Sequence, residues 1–219
     1  MPAPSADILA ELLTAFPILV GRPATGEDRR RFQRYLDLFV QWNRVHRMTA
    51  LASAREIVQG LFLDSLLFLR VLPPRPLKVV DIGAGSGIPG LPIRLADPAI
   101  SLTLIEAKRK RVSFLLTACR ELDLSDVKVL EGRAERLVEE VPEISGSFDA
   151  AVARAVGAQG DLLPLASRYL RPGGVVVLAG SPRKVGTGQM QAVKVSIPGG
   201  RGSRVFLRAE KESSVPRGT

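Results

Sequence analysis

Two short apolar runs in this chain each end in an acid, and the first opens onto a glycine-rich loop. Residues 77–80 lead to Asp81 and then to Ile82-Gly83-Ala84-Gly85-Ser86-Gly87-Ile88-Pro89-Gly90, while residues 101–105 lead to Glu106. A strand, a tight turn and a helix N-terminus aimed at a ligand have this layout. Glycine accepts positive φ there and, lacking Cβ, lets a ligand lie against the backbone. Gly85-Ser86-Gly87-Ile88-Pro89-Gly90 fits G-x-G-x-x-G. Glu106 supplies the acid that such a loop needs about 20 residues on. The chemistry on offer is a nucleotide cradle of backbone amides and one carboxylate. A further group, Arg154, stands just beyond the apolar run 148–153 and carries a fixed fork of donors.

Positioning these groups takes alternating strands and helices. Strands are expected at 77–80, 101–105, 127–130, 148–153 and 175–179, and helices at 91–97, from Lys108 to about Leu122, and at 162–170. This alternation implies an α/β fold with a parallel sheet covered on both faces. Runs 192–197 and 204–207, joined through Pro198-Gly199-Gly200 and Gly202, are expected to complete the sheet edge as a hairpin. Upstream, a short helix is expected at 7–16, then loop at Pro17, Gly21, Pro23 and Gly26. Thr25, followed three residues later by Asp28, caps a helix from Glu27 to about His46 with an apolar stripe of Phe32, Tyr35, Leu36, Phe39 and Val40. Ser53-Ala54-Arg55-Glu56 is a capping box that opens a helix to about Arg70. Pro73, Pro74 and Pro76 then form a stiff linker. The expected organisation is a helical region over 1–75, an α/β domain over 76–212, and a polar, disordered tail over 213–219. Val215-Pro216-Arg217-Gly218 in that tail resembles a protease-cleavable tag remnant and is given no role.

At 219 residues, 46% of them hydrophobic, the chain can bury one sizeable core. No apolar run reaches the roughly 18–20 residues that span a bilayer, and no secretion signal is expected. The single cysteine, Cys119, excludes a disulfide framework and a cysteine-rich zinc site; it reads as a buried helix thiol. A reducing, cytoplasmic setting, no metal and no membrane follow as expectations. The net charge of +9 favours anionic partners, nucleic acid first. The one histidine, His46, reads as a helix-surface residue without a catalytic part.

The glycine motif alone does not separate a nicotinamide enzyme from a methyltransferase. Three features do. Asp81 followed by three alternating glycines has the pattern of class I S-adenosylmethionine enzymes, with the acid facing the methionine end. Ala134-Glu135 after the third strand stands where adenine contacts are expected. Leu170-Arg171-Pro172-Gly173-Gly174 reads as the turn those methyltransferases place before strand five. No separate substrate domain follows, and Tyr169 has no lysine four residues on, which argues against a dehydrogenase. Glu106 then bridges two ribose hydroxyls.

Further segments carry a narrower resemblance. Trp42-Asn43, Thr49-Ala50, Leu63-Asp64-Ser65-Leu66, the loop from Asp81 to Pro92, Lys110-Arg111-Val112-Ser113-Phe114-Leu115, Gly132-Arg133-Ala134-Glu135 and Ala153-Arg154-Ala155 resemble the bacterial GidB family over residues 30–180. The resemblance implies a class I S-adenosylmethionine-dependent, Rossmann-like fold and methylation of N7 of one guanine in small-subunit (16S) ribosomal RNA, with the folded 30S subunit as partner. It implies cofactor contacts at Gly83, Ile88, Ala134 and Glu135, beside Asp81, Gly85, Gly87 and Glu106, which the motif itself puts against the cofactor. Arg154 is placed beside both cofactor and reaction centre, as the catalytic residue, in a chain expected to act as a monomer. The chain departs from the family pattern at Arg47-Met48, where Asn-Leu is usual, at Leu61, where His is usual, and at Ala179, where Lys is usual. These departures keep open a class I methyltransferase acting on a small molecule or another RNA, and a module that binds without turnover.

Guanine N7 carries a free lone pair and is exposed in the major groove. Its methylation therefore needs no general base, only positioning of two reactants about 3 Å apart in a dry pocket. RNA would be held by phosphate contacts. The candidates are Arg29, Arg34, Arg44, Arg47, Arg109, Lys110, Arg183 and Lys184, with Arg30 beside them.

Overall fold

A computed structural model describes residues 7–74, 77–154, 159–180, 190–200 and 202–212. Seven strands form one sheet: β1 (Leu77–Ile82), β2 (Ile100–Glu106), β3 (Lys128–Glu131), β4 (Phe148–Arg154), β5 (Leu170–Ala179), β6 (Gln191–Ser196) and β7 (Ser203–Glu210). Their order is β3-β2-β1-β4-β5-β7-β6. The first five run parallel, and β7 pairs antiparallel with both β5 and β6. The expected α/β sheet and edge hairpin are both present. The proposed tail 213–219, Arg183, Lys184 and Pro76 lie outside the described residues.

Side-chain alternation divides the core between the two sheet faces. Val79, Ala150, Val152, Val175 and Val177 lie in one apolar cluster; Val80, Ala151, Ala153, Val176 and Leu178 lie in the other. The first cluster also contains Phe16, Phe32, Tyr35, Phe39, Phe62 and Phe114, so the N-terminal helices share a core with the sheet. Tyr35 stacks on Phe62 with ring centroids 4.8 Å apart. Cys119 is buried in the helix Arg109–Glu121, and burial pushes its thiol up to about 11.

Three local expectations are corrected. The first helix splits into Ala10–Thr14 and Phe16–Leu19, with Pro17 in the first turn of the second, where a missing N–H is tolerated. The segment 54–70 begins at the Ser53 capping box but is not one regular helix: a π turn at Val58–Leu63 interrupts it, and a 3-10 turn at Leu67–Arg70 ends it. The Arg171-Pro172-Gly173-Gly174 segment is not a turn before β5 but an irregularity inside it. Phe148 pairs with Leu170, then Ala150 with Val175, so the intervening residues bulge, and Arg171 pairs with Asp149.

Candidate functional site

The parallel strands deliver the predicted polar residues to their C-terminal ends, where open α/β sheets bind ligands. The glycine loop hangs from β2. The amides of Gly83 and Ala84 both donate to the Ile105 carbonyl at 2.9 Å. The Gly85 amide donates to Glu106 Oε2 at 2.8 Å, and the Lys108 amide to Oε1 at 2.8 Å. Arg111 Nη1 stands 3.6 Å from the same carboxylate, which is only 5% exposed. Tyr35 braces the loop from the N-terminal side, its hydroxyl donating to the Ser86 carbonyl at 2.6 Å.

Two glycines in the loop have different reasons to be glycine. Gly85 has φ +59°, and a Cβ there would meet nothing nearer than Arg111 Nη1 at 3.6 Å, on the wall of the cleft. Gly87 has φ +79°, and a Cβ there would lie 2.4 Å from Leu91 Cδ1. Asp81 lies beneath the loop, wholly buried. Its Oδ2 accepts the Gly90 amide at 2.8 Å, at the start of the helix Gly90–Ala96, and its Oδ1 has no hydrogen-bond partner. Burial, opposed by the Gly90 bond and reinforced by the charge of Glu106, pushes the carboxyl up to about 7.

Across the loop, the last residue of β4 meets the π turn. Arg154 Nη2 donates to the Gly60 carbonyl at 2.7 Å and stands 3.5 Å from Asp64 Oδ2. Arg204 of β7 donates from Nε to the same Asp64 oxygen at 3.0 Å, so one carboxylate serves two guanidinium groups. Arg154 Nη1 is buried without a partner. Burial lowers the pKa of Arg154; the Asp64 charge raises it and the nearby Arg204 lowers it again.

Between these walls lies a cavity of about 580 Å³, lined by Met48, Thr49, Leu61, residues 83–86, Ile88, Glu106, Lys108, Arg111 and Arg154. Of the predicted cofactor residues, Gly83, Gly85, Ile88, Glu106 and Arg154 meet in it. Gly87 and Asp81 support the loop from behind. Ala134 and Glu135 open the helix after β3, next to Glu106, whose carbonyl accepts the Gly132 amide at 3.0 Å. Ala134 is buried and its carbonyl accepts the Tyr169 hydroxyl at 2.6 Å, whereas Glu135 is exposed; neither lines this cavity. Met48 and Leu61, where the chain departs from the family pattern, are wall residues, and Ala179 sits beside Arg154 in the β4–β5 register.

The basic candidates separate. Arg29 pairs with Asp7 at 2.6 Å and Arg34 with Glu121 at 3.0 Å, while Arg30 pairs with Glu27 at 2.6 Å. Arg44 is exposed. Arg47, Arg109 and Lys110 line a second cavity of about 400 Å³ with His46, Met48, Lys108 and Arg111. Lys108 and Arg111 could have been assigned to the site from the Lys108-Arg109-Lys110-Arg111 run directly after the β2 acid. Asp64 lies in Leu63-Asp64-Ser65-Leu66, one of the segments that carry the resemblance, whereas Gly60 and Arg204 have no local signal. Among the described residues no group of three or more His, Cys, Asp and Glu could hold a metal ion, and no helix is long and apolar enough to cross a membrane.

A family model described as rRNA small subunit methyltransferase G, GidB, matches residues 28–187. A protein named ribosomal RNA small subunit methyltransferase G from Streptococcus pneumoniae (strain ATCC BAA-255 / R6) is 34% identical over 154 residues, 69% of this chain; the chain spans about 65% of that relative's length. A protein of the same name from Dictyoglomus thermophilum is 30% identical over 201 residues, 86% of this chain and 83% of the relative. Among solved structures, an O-methyltransferase from Bacillus cereus in complex with SAH superposes with a TM-score of 0.57 over 92% of this chain and 97% of its own, at 17% identity. A putative class I S-adenosylmethionine-dependent methyltransferase from Listeria monocytogenes superposes with a TM-score of 0.58 over 84% of this chain and 69% of its own, at 12% identity. These structures share the fold.

Proposed function

The chain belongs to the GidB family, rRNA small subunit methyltransferase G, and on that premise we propose that it transfers a methyl group from S-adenosylmethionine to N7 of a guanine in 16S ribosomal RNA. The observation that carries this reading is the single cleft in which Glu106 faces the glycine loop and Arg154 stands opposite. The residues present fit such a donor. Each Glu106 oxygen accepts one amide and keeps a second acceptor direction, which suits the two hydroxyls of a ribose. Gly83, Gly85 and Ile88 leave the backbone open to close approach, and the adenine would extend beyond this cavity toward Ala134 and Glu135 at the start of the next helix. Asp81 holds the loop from beneath, with Oδ1 still free to accept.

When bound, the donor supplies an electrophilic methyl group. The chain's part is then positioning. N7 gives up no proton, so no side chain need act as base, and the cavity lining contains no histidine. Arg154 is held at Nη2 by Gly60 and Asp64, which fixes the plane of its donor fork. It orients the guanine edge or the donor and does not lie on the ring face, because the N7-methylated ring is cationic. Met48, Leu61 and Ile88 keep the space between the reactants dry. The folded small subunit is the acceptor, and the chain acts as a monomer.

A second reading, a methyltransferase for a small molecule or another RNA, is favoured by apolar residues where the family is polar, Leu61 in the cleft lining and Ala179 beside Arg154 in the sheet. Incubation with labelled S-adenosylmethionine and 30S subunits from a strain lacking its own enzyme separates the two. Label on a guanine of the 16S RNA is the expected result. Label confined to a small metabolite selects the second reading, and tight donor binding without any transfer defeats both.

A further inference from the structure

Most arginines of known placement are neutralised by a neighbouring carboxylate, as Arg22 is by Asp28, Arg29 by Asp7, Arg34 by Glu121, Arg94 by Asp126, Arg136 by Glu140 and Arg168 by Glu139. The second cavity is different. Arg47, Lys108, Arg109 and Lys110 are all exposed around it, and none of their side chains has an acidic partner among the described residues. Lys108 caps the helix Arg109–Glu121, and Arg109, Lys110 and Arg111 follow in its first turn, which holds no acidic residue. A helix N-terminus is the positive end of the macrodipole and ordinarily attracts acids. The helix Gly26–His46 obeys this rule with Glu27 and Asp28. At the helix Arg109–Glu121 the Glu106 carboxylate accepts the Lys108 amide and stands 3.6 Å from Arg111, which leaves the side chains of Lys108, Arg109 and Lys110 without a carboxylate of their own among the described residues. On the facing side, Arg47 closes the helix Gly26–His46 in the left-handed conformation, with φ 47° and ψ 56°, and brings its guanidinium to the same space.

This space adjoins the methyl-transfer cleft, because Met48, Lys108 and Arg111 line both. We propose that the groove between Arg47 and Lys108-Arg109-Lys110 seats the phosphodiester backbone of the acceptor RNA beside the target nucleotide, while Arg29 and Arg34, occupied by their own ion pairs, take no part. The proposal rests on the reading that the acceptor is ribosomal RNA. It divides the basic residues into a set that holds RNA and a set that holds the fold.

The test measures binding of the full chain to 30S subunits across a salt series, beside methyl transfer to the same subunits. An Arg47→Gln/Arg109→Gln/Lys110→Gln variant is compared with an Arg136→Gln/Arg168→Gln control that removes the same kind of charge from paired positions. The groove variant should lose about tenfold or more in affinity, and its slope of log K against log salt should flatten by about 2, near 0.7 for each lost phosphate contact. The control should keep the parent slope. Affinity for S-adenosylmethionine should be unchanged in the groove variant, and Arg109→Lys, which keeps the charge, should bind like the parent. Equal slopes for parent and groove variant overturn the proposal, whatever happens to methyl transfer. Loss of S-adenosylmethionine affinity together with RNA affinity also overturns it, because the groove would then not be separate from the donor cleft. A parent whose slope depends on the groove but which labels no guanine leaves the groove standing and overturns the rRNA-methylation reading instead.

Discussion

Arg154 Nη2 lies 2.7 Å from the carbonyl oxygen of Gly60, a residue 94 positions earlier in the chain. The contact joins the end of β4 to the π turn at Val58–Leu63. In a π turn the backbone bonding shifts from i→i+4 to i→i+5, and such turns recur at functional sites. Here the turn lies beside Asp64, and Gly60 and Asp64 together hold one half of the guanidinium.

Arg154→Ala is expected to lower turnover by about 10²-fold, the scale of losing one preorganised donor in a reaction site, while changing donor affinity little. Arg154→Lys should recover only part of the loss, because a single ammonium held by Gly60 and Asp64 leaves no second nitrogen in the position of Nη1, which the guanidinium keeps unpaired. Single-turnover rates on 30S subunits, beside calorimetric donor binding, separate the two quantities. Unchanged rates in Arg154→Ala would remove the residue from the reaction centre.

Glu106→Gln should weaken S-adenosylmethionine binding by about tenfold or more, the scale of charge-assisted hydrogen bonds. Turnover at saturating donor should stay near the parent value. Titration calorimetry reads the first quantity, and a dissociation constant equal to the parent's would take Glu106 out of the donor site.

Gly85→Ala and Gly87→Ala should fail in different ways. Both put a side chain at positive φ, which costs roughly 1–2 kcal/mol. The Gly87 methyl also strikes Leu91 Cδ1, whereas the Gly85 methyl enters the cleft. Gly87→Ala is therefore expected to lose more stability in denaturant titration. Gly85→Ala should stay folded and lose donor affinity. The reverse ranking of unfolding midpoints would contradict this assignment.

Asp81→Asn tests the buried acid through pH. The folded protein raises the Asp81 carboxyl from 3.8 to about 7, so the native state holds this proton more tightly than the unfolded chain. The stability so gained is fully present below pH 3.8 and is lost as pH rises through about 7, a change on the order of 4 kcal/mol. Asparagine resembles the protonated acid and can still accept the Gly90 amide. The variant should melt near the parent below about pH 4, move increasingly above it as pH rises, and stand several degrees above it by about pH 8. A melting difference that does not grow with pH would refute the assignment.

Patterns that act locally were readable in the sequence. The Thr25 cap and the Ser53 capping box both form, and alternating apolar residues such as Val79 and Val80 divide between the two sheet faces. Glu106 reaches the glycine loop because the acid after β2 stands beside the end of β1 in any such sheet. What the sequence concealed depends on partners far along the chain. Arg29 and Arg34 looked free until Asp7 and Glu121 folded against them. Helical periodicity at 54–70 gave no warning of a π turn, whose Gly60 carbonyl is engaged by an arginine from β4. The Pro172-Gly173-Gly174 signature carries the same residues in a turn and in a strand bulge, and only the pairing with β4 distinguishes them.

The Asp64–Arg204 pair also sets an order of events during synthesis. Its two residues are 140 positions apart, so at about 5–20 residues per second Arg204 emerges roughly 7–28 s after Asp64. By then β1 to β5, the glycine loop and Glu106 have already been made. A nascent chain halted before β7 holds every residue of the donor cradle while Asp64 still lacks its second arginine. Asp64 gains that second partner only once the hairpin that carries Arg204 has been made.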